Sequence, residues 1–135
     1  MTLAPQGQNM TRRPPGRAPT ALVVDDQPPI VELLRDLLED EGLVVLTAPD
    51  GQAALAVATA TPPDLILTDL MMPRLDGRAL RARLQDQPRT APIPVLLMSA
   101  AGQARPGDGF AAFIVKPFSV DVLLAAIHRH LPATL

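Results

Sequence analysis

From Thr20 onward the chain alternates short apolar runs with segments of helical periodicity, and this alternation constrains the fold more than any other feature. Runs too short for a buried helix and rich in Val, Ile and Leu read as strands. Strands that take turns with helices build a parallel sheet covered by helices. The runs are Ala21–Val24, Leu43–Leu46, Leu65–Leu67, Ile93–Met98 and Ala112–Val115, so five strands are expected. Between the first two, Ile30, Leu33, Leu34, Leu37 and Leu38 recur at helical spacing over Pro29–Glu41, with prolines at the start and Gly42 just past the end. Gln52–Ala60 predicts an alanine-rich helix, Arg78–Gln85 a short one and Ser119–Leu131 the last, with Ser119 as its N-cap.

Composition narrows the function. A length of 135 residues with 47% hydrophobic content suits one domain with a real core. Twelve basic against 14 acidic residues give a net charge of −2, which offers neither nucleic acid nor an anionic membrane an electrostatic handle. Without cysteine, disulfides, thiolate zinc sites and cysteine nucleophiles are excluded. Apolar runs such as Val95–Met98 fall far short of the roughly 18 residues of a membrane span. Met1–Thr20 lacks the apolar centre of a secretory signal, so a cytoplasmic protein is expected. Residues 1–19 carry Pro5, Pro14, Pro15 and Pro19 with Arg12, Arg13 and Arg17 and show no periodicity. They read as a disordered tail, leaving residues 20–135 as the folded domain.

Open parallel sheets bind ligands at the carboxyl ends of their strands, and the chemistry of this chain collects there. Asp25 and Asp26 follow the first run, Asp69 the third, Ser99 the fourth, and Lys116 with Pro117 the fifth. Three converging carboxylates repel unless a cation joins them, and hard oxygen ligands of this kind suit Mg²⁺. An aspartate there can act as a nucleophile and become an acyl phosphate, provided that donors neutralise the transferring group; Lys116 and the Ser99 hydroxyl are suitable donors. Lys116 is the sole lysine, every other basic residue being arginine. His128 and His130 fall in the last turn of the last helix, where cationic side chains favour the helix dipole and a surface role. Arg74, Arg78 and Arg81 read chiefly as a solvated helix face beside the Asp69 loop.

The segments Val23-Val24-Asp25-Asp26, Leu65-Ile66-Leu67-Thr68-Asp69-Leu70-Met71-Met72-Pro73-Arg74-Leu75-Asp76-Gly77, Met98-Ser99-Ala100 and Val115-Lys116-Pro117-Phe118 resemble the four signature blocks of the response-regulator receiver family. The resemblance covers residues 20–131 in order. It implies an α/β fold, a doubly wound five-stranded parallel sheet of flavodoxin-like (CheY-like) order 2-1-3-4-5. It further implies that Asp69 is phosphorylated by a histidine kinase or histidine phosphotransfer protein. Asp26 would bind Mg²⁺ directly, Asp25 mainly through water, and the Met71 backbone carbonyl would be another ligand. Ser99 would hydrogen-bond the phosphoryl group, Lys116 would pair with it, and the peptide before Pro117 is expected to be cis. Phe113 falls on the aromatic switch position, turning inward once Ser99 engages the phosphoryl group. Met71 and Ala101 occupy positions that modulate hydrolysis; neither orients a water, so autodephosphorylation is expected to be slow.

Two departures shape the expected output. No segment after the last helix is long enough for a DNA-binding or enzymatic domain, so action through a downstream effector protein is expected, as a monomer without direct DNA or membrane binding. Between Ser99 and Lys116, where the family has a helix, Gly102, Pro106, Gly107 and Gly109 oppose one, so the fourth helix is expected to be shortened or absent. The alternatives are a phosphorylation-independent pseudo-receiver that docks constitutively and an aspartate-nucleophile phosphohydrolase. The second is disfavoured because Met71 stands where such enzymes carry their acid/base aspartate.

Overall fold

The computed structural model describes residues 17–103, 105 and 107–132; the tail predicted over residues 1–19 lies outside them up to residue 16. The elements run β1 (Thr20–Val24), α1 (Pro28–Asp40), β2 (Val44–Ala48), α2 (Gly51–Ala60), β3 (Leu65–Asp69), α3 (Gly77–Gln85), β4 (Val95–Ala100), β5 (Ala112–Lys116) and α4 (Val120–His130). The five strands pair in parallel in the order β2-β1-β3-β4-β5, as the resemblance implies. Among the described residues no helix lies between β4 and β5, as the glycines and proline of that stretch predict.

Alternation along the strands sorts the core into two layers. Ala21, Val23, Leu65, Leu67, Leu96, Met98 and Ile114 face α1 and α4. Leu22, Val24, Ile66, Val95 and Leu97 face α2 and α3. Helix α1 presents Leu34 and Leu38 to the first layer, one turn apart on one face. It ends in a Schellman motif, in which the Gly42 N–H donates to the Glu39 carbonyl and the Leu43 N–H to that of Leu38. Asp50, Asp76 and Ser119 cap α2, α3 and α4 by accepting from the N–H groups of Ala53, Ala79 and Val122.

Strand boundaries differ from expectation at their ends. β4 begins at Val95 rather than Ile93 because Pro94 has no N–H to give the ladder, although its carbonyl still accepts from Ile66 N–H. β3 runs two residues further than the apolar pattern and β5 one, taking in Asp69 and Lys116, so the polar groups stand on the strand tips themselves.

Candidate functional site

Register places the candidates side by side. Ala21–Val24 pairs with Leu65–Thr68, Asp69 with Met98, and Ala100 with Lys116, so the tips of β1, β3, β4 and β5 share one edge of the sheet. There Asp25, Asp26 and Asp69 each offer a carboxylate oxygen, and these oxygens lie within 4.8 Å of one another. Lys116 Nζ donates to Asp69 Oδ1 at 3.0 Å and stands 3.8 Å from Asp25 Oδ2. The Lys116–Pro117 peptide is cis.

The three carboxylates differ in their surroundings. Asp25 is 1% exposed, and its Oδ1 accepts from the Gln27 N–H at 2.9 Å. Burial pushes its carboxyl above the ordinary value, and the charges of Asp69 and Asp26 push the same way, against the Gln27 hydrogen bond and the Lys116 ammonium. Asp26 is exposed, while Asp69 is nearly buried. Asp25 Oδ2 and Ser99 Oγ are buried and have no hydrogen-bond partner among the described residues. Two orphaned polar oxygens beside a cluster of hard anionic ligands are what a small dication and its ligand waters would satisfy, so the residues present fit Mg²⁺.

The loop after Asp69 is held tightly. Gly77 N–H donates to the Leu70 carbonyl at 2.8 Å, and a Cβ at Gly77 would come within 2.7 Å of the Asp69 carbonyl, so only glycine lets α3 start this close to β3. Met71 lies in this loop with its side chain exposed.

Phe113 is 37% exposed and meets Phe110 edge-on, ring centroids 6.0 Å apart. It shares a face of β5 with Val115, itself exposed, opposite to buried Ile114. Val115 pairs with Ser99, which joins the aromatic position to the site through the β4–β5 ladder.

The arginines correct the sequence reading. Arg74, Arg78 and Arg81 are not a merely solvated face: Arg74 Nε donates to Asp50 Oδ2 at 2.8 Å. Arg78 donates to Asp108 Oδ2 at 2.9 Å and to the Gln103 carbonyl at 2.6 Å, and the Arg81 guanidinium packs on Gly109. Two arginines of α3 thus hold the stretch that replaces a helix. Asp50 and Asp108 carried no signal as their partners, because the contacts span 24 and 30 residues. His128, half exposed, pairs with Glu41 at 2.8 Å, and His130 Nδ1 meets the Ala126 carbonyl, both far from the strand tips.

Comparison with known proteins agrees with this geometry. Residues 21–128 match the response regulator receiver domain. The chain is 39% identical over 121 residues to the DNA-binding dual master transcriptional regulator RpaA of Synechocystis, covering 86% of this chain and spanning half of that protein's length. Chemotaxis protein CheY4 of Vibrio cholerae superposes with a TM-score of 0.78 at 30% identity, covering 85% of this chain and all of that one. The receiver domain of sensor histidine kinase PA1611 of Pseudomonas aeruginosa, solved with a magnesium ion coordinated in its active-site cleft, superposes at 0.76 with 26% identity over 84% of this chain and 98% of its own. The fold, the ordered motifs and the family match together establish that this chain belongs to the response regulator receiver domain family of two-component systems.

Proposed function

We propose that the chain is a phosphoacceptor in which Asp69 takes a phosphoryl group from a histidine kinase or histidine phosphotransfer protein. The observation that carries this reading is the Asp69 carboxylate at a strand tip, 3.0 Å from the only lysine and within 4.8 Å of two further carboxylates. Attack of an Asp69 oxygen on the phosphorus forms the acyl phosphate O–P bond as the P–N bond to the donor imidazole breaks, and the imidazole leaves with the bond's electron pair. Asp25, Asp26, Asp69 and the Met71 backbone carbonyl would hold Mg²⁺, which supplies charge neutralisation for the phosphoryl oxygens. The magnesium in the related PA1611 receiver supports that assignment. Lys116 contributes a second positive charge, and the unpartnered Ser99 hydroxyl is free to donate to a phosphoryl oxygen.

The output is a protein contact rather than catalysis. Ser99 drawn towards the phosphoryl group pulls on β4, and Phe113, which pairs across the ladder with Leu97, turns inward. A downstream effector then reads the β5 face. No helix among the described residues is long and apolar enough to cross a membrane, and we assign the module to the cytoplasm. Incubation with acetyl phosphate and Mg²⁺, followed by intact-mass measurement, tests the assignment: the wild type gains one phosphoryl mass and Asp69→Ala gains none. A modified Asp69→Ala protein would overturn the choice of nucleophile.

A further inference from the structure

We propose that the Asp50–Arg74 ion pair positions the Leu70–Asp76 loop, and through it the oxygen ligands offered to Mg²⁺ beside Asp69; the inference rests on the function proposed above. Arg74 is the only non-glycine residue with positive φ among the described residues, at 68°. L side chains adopt that conformation at a cost, which persists only where surrounding contacts impose it. Here the contacts are visible. Arg74 Nε donates to Asp50 Oδ2 at 2.8 Å, while Asp50 Oδ1 caps α2 through the Ala53 N–H, also at 2.8 Å. Asp50 is 5% exposed, and both hydrogen bonds hold its carboxyl below the ordinary value, the Ala53 bond most.

The neighbouring backbone is fastened to the same point. The Leu75 carbonyl accepts from the Gly51 N–H at 3.1 Å, and a Cβ on Gly51 would collide with that carbonyl. At the other end Leu70 N–H donates to the Met98 carbonyl, and its own carbonyl accepts from Gly77. Only Met71, Met72 and Pro73 separate the two anchors, Leu70 and Arg74, so the direction of the Met71 carbonyl depends on where Arg74 is held. The N-terminus of α2, which carries none of the candidate ligands, therefore sets part of the site.

Electrostatics and positioning predict opposite signs, which makes the idea testable. Arg74→Gly removes a cation near a dication site, which by charge alone strengthens Mg²⁺ binding. Glycine also accepts a φ of 68° without strain, so the fold is kept or improved. Loss of the clamp instead weakens Mg²⁺ binding, by about tenfold on the scale of other groups that orient metal ligands. Titration calorimetry with Mg²⁺ and the rate of modification by acetyl phosphate are to be measured on wild type, Arg74→Gly, Asp50→Asn and the double variant, with melting temperatures alongside. Asn at residue 50 keeps an oxygen for the Ala53 N–H, so the cap survives.

The expected result is weaker Mg²⁺ binding in Arg74→Gly at an unreduced melting temperature and a phosphorylation rate that recovers at saturating Mg²⁺. The double variant should be no weaker than the weaker single one. Unchanged or tighter Mg²⁺ binding in Arg74→Gly, or losses that add, would overturn the clamp while leaving the phosphoacceptor reading in place. A wild type that takes up neither Mg²⁺ nor a phosphoryl group overturns both.

Discussion

Replacing Asp25 with asparagine removes the charge from the most buried member of the carboxylate cluster and leaves an Oδ1 that still accepts the Gln27 N–H. The three carboxylates offer oxygens within 4.8 Å of one another, so each like-charge pair costs about 3.5 kcal/mol at an effective dielectric constant of about 20. The Lys116 ammonium, 3.8 Å from Asp25 Oδ2, returns about 4 kcal/mol on the same scale. The two repulsions that Asp25 feels exceed that return, and desolvation of a side chain that is 1% exposed pushes the same way. Metal-free Asp25→Asn should therefore be more stable than wild type at neutral pH by about 1–2 kcal/mol, within the usual range for an uncompensated buried polar group. That corresponds to roughly 4 °C in melting temperature per kcal/mol for a domain of this size. The pH dependence follows from the raised carboxyl: below its ordinary value of 3.8 Asp25 is neutral in both folded and unfolded chains. Wild type then loses stability relative to the variant as pH rises through the higher folded-state value. Mg²⁺ at ten times its dissociation constant restores about 1.4 kcal/mol to wild type and less to the variant, so the gap narrows. The chain has neither Trp nor Tyr, so far-UV circular dichroism and calorimetry are the assays, with chelator and with Mg²⁺. A metal-free variant less stable than wild type at neutral pH, or a gap that ignores pH across the acid range, would refute the reasoning.

Leu96→Ala, in the middle of the sheet and wholly buried, should cost about 2.7–5 kcal/mol by denaturant unfolding. Arg78→Ala removes the contacts to Asp108 and Gln103; because the pair is partly exposed, global stability should change by only about 0–1 kcal/mol, while amide exchange across residues 101–109 accelerates strongly. Unchanged exchange would show that the connection is held by other means. Sedimentation should find a monomer with or without a phosphoryl analogue, and a phosphorylation-dependent dimer would count against output through a separate effector.

Periodicity carried most of the fold because the three central strands are buried on two faces and each helix on one, so Leu34 and Leu38, or Leu65 to Leu67, are where burial demands apolar side chains. The site was legible for a different reason: the parallel topology converts chain order into adjacency, so residues 25, 69, 99 and 116 meet at one edge once five strands are assigned. Strand ends were less legible. Asp69 and Lys116 interrupt the apolar pattern, although their backbones continue the ladder. The arginines were misread because a charged residue on a short helix looks the same in sequence whether it meets water or a carboxylate 30 residues away.

That misreading bears on how the domain works. Without a helix between β4 and β5 among the described residues, the outer face of β5 is left open at Phe113 and Val115 while the strand's other face stays packed through Ile114. Phe110 is the buried apolar anchor of the connection, and polar contacts from α3 hold the rest, together with the Gln103 side chain, which accepts from the Ala100 N–H at 2.9 Å. Polar contacts at partly exposed positions are individually weak, and those made by Ala100 and Gln103 lie one and four residues beyond Ser99. On the proposed function, a displacement of Ser99 towards a phosphoryl group would therefore be transmitted first to the contacts least able to resist it. On the same proposal, the open face of β5 is the surface where that change would reach a partner.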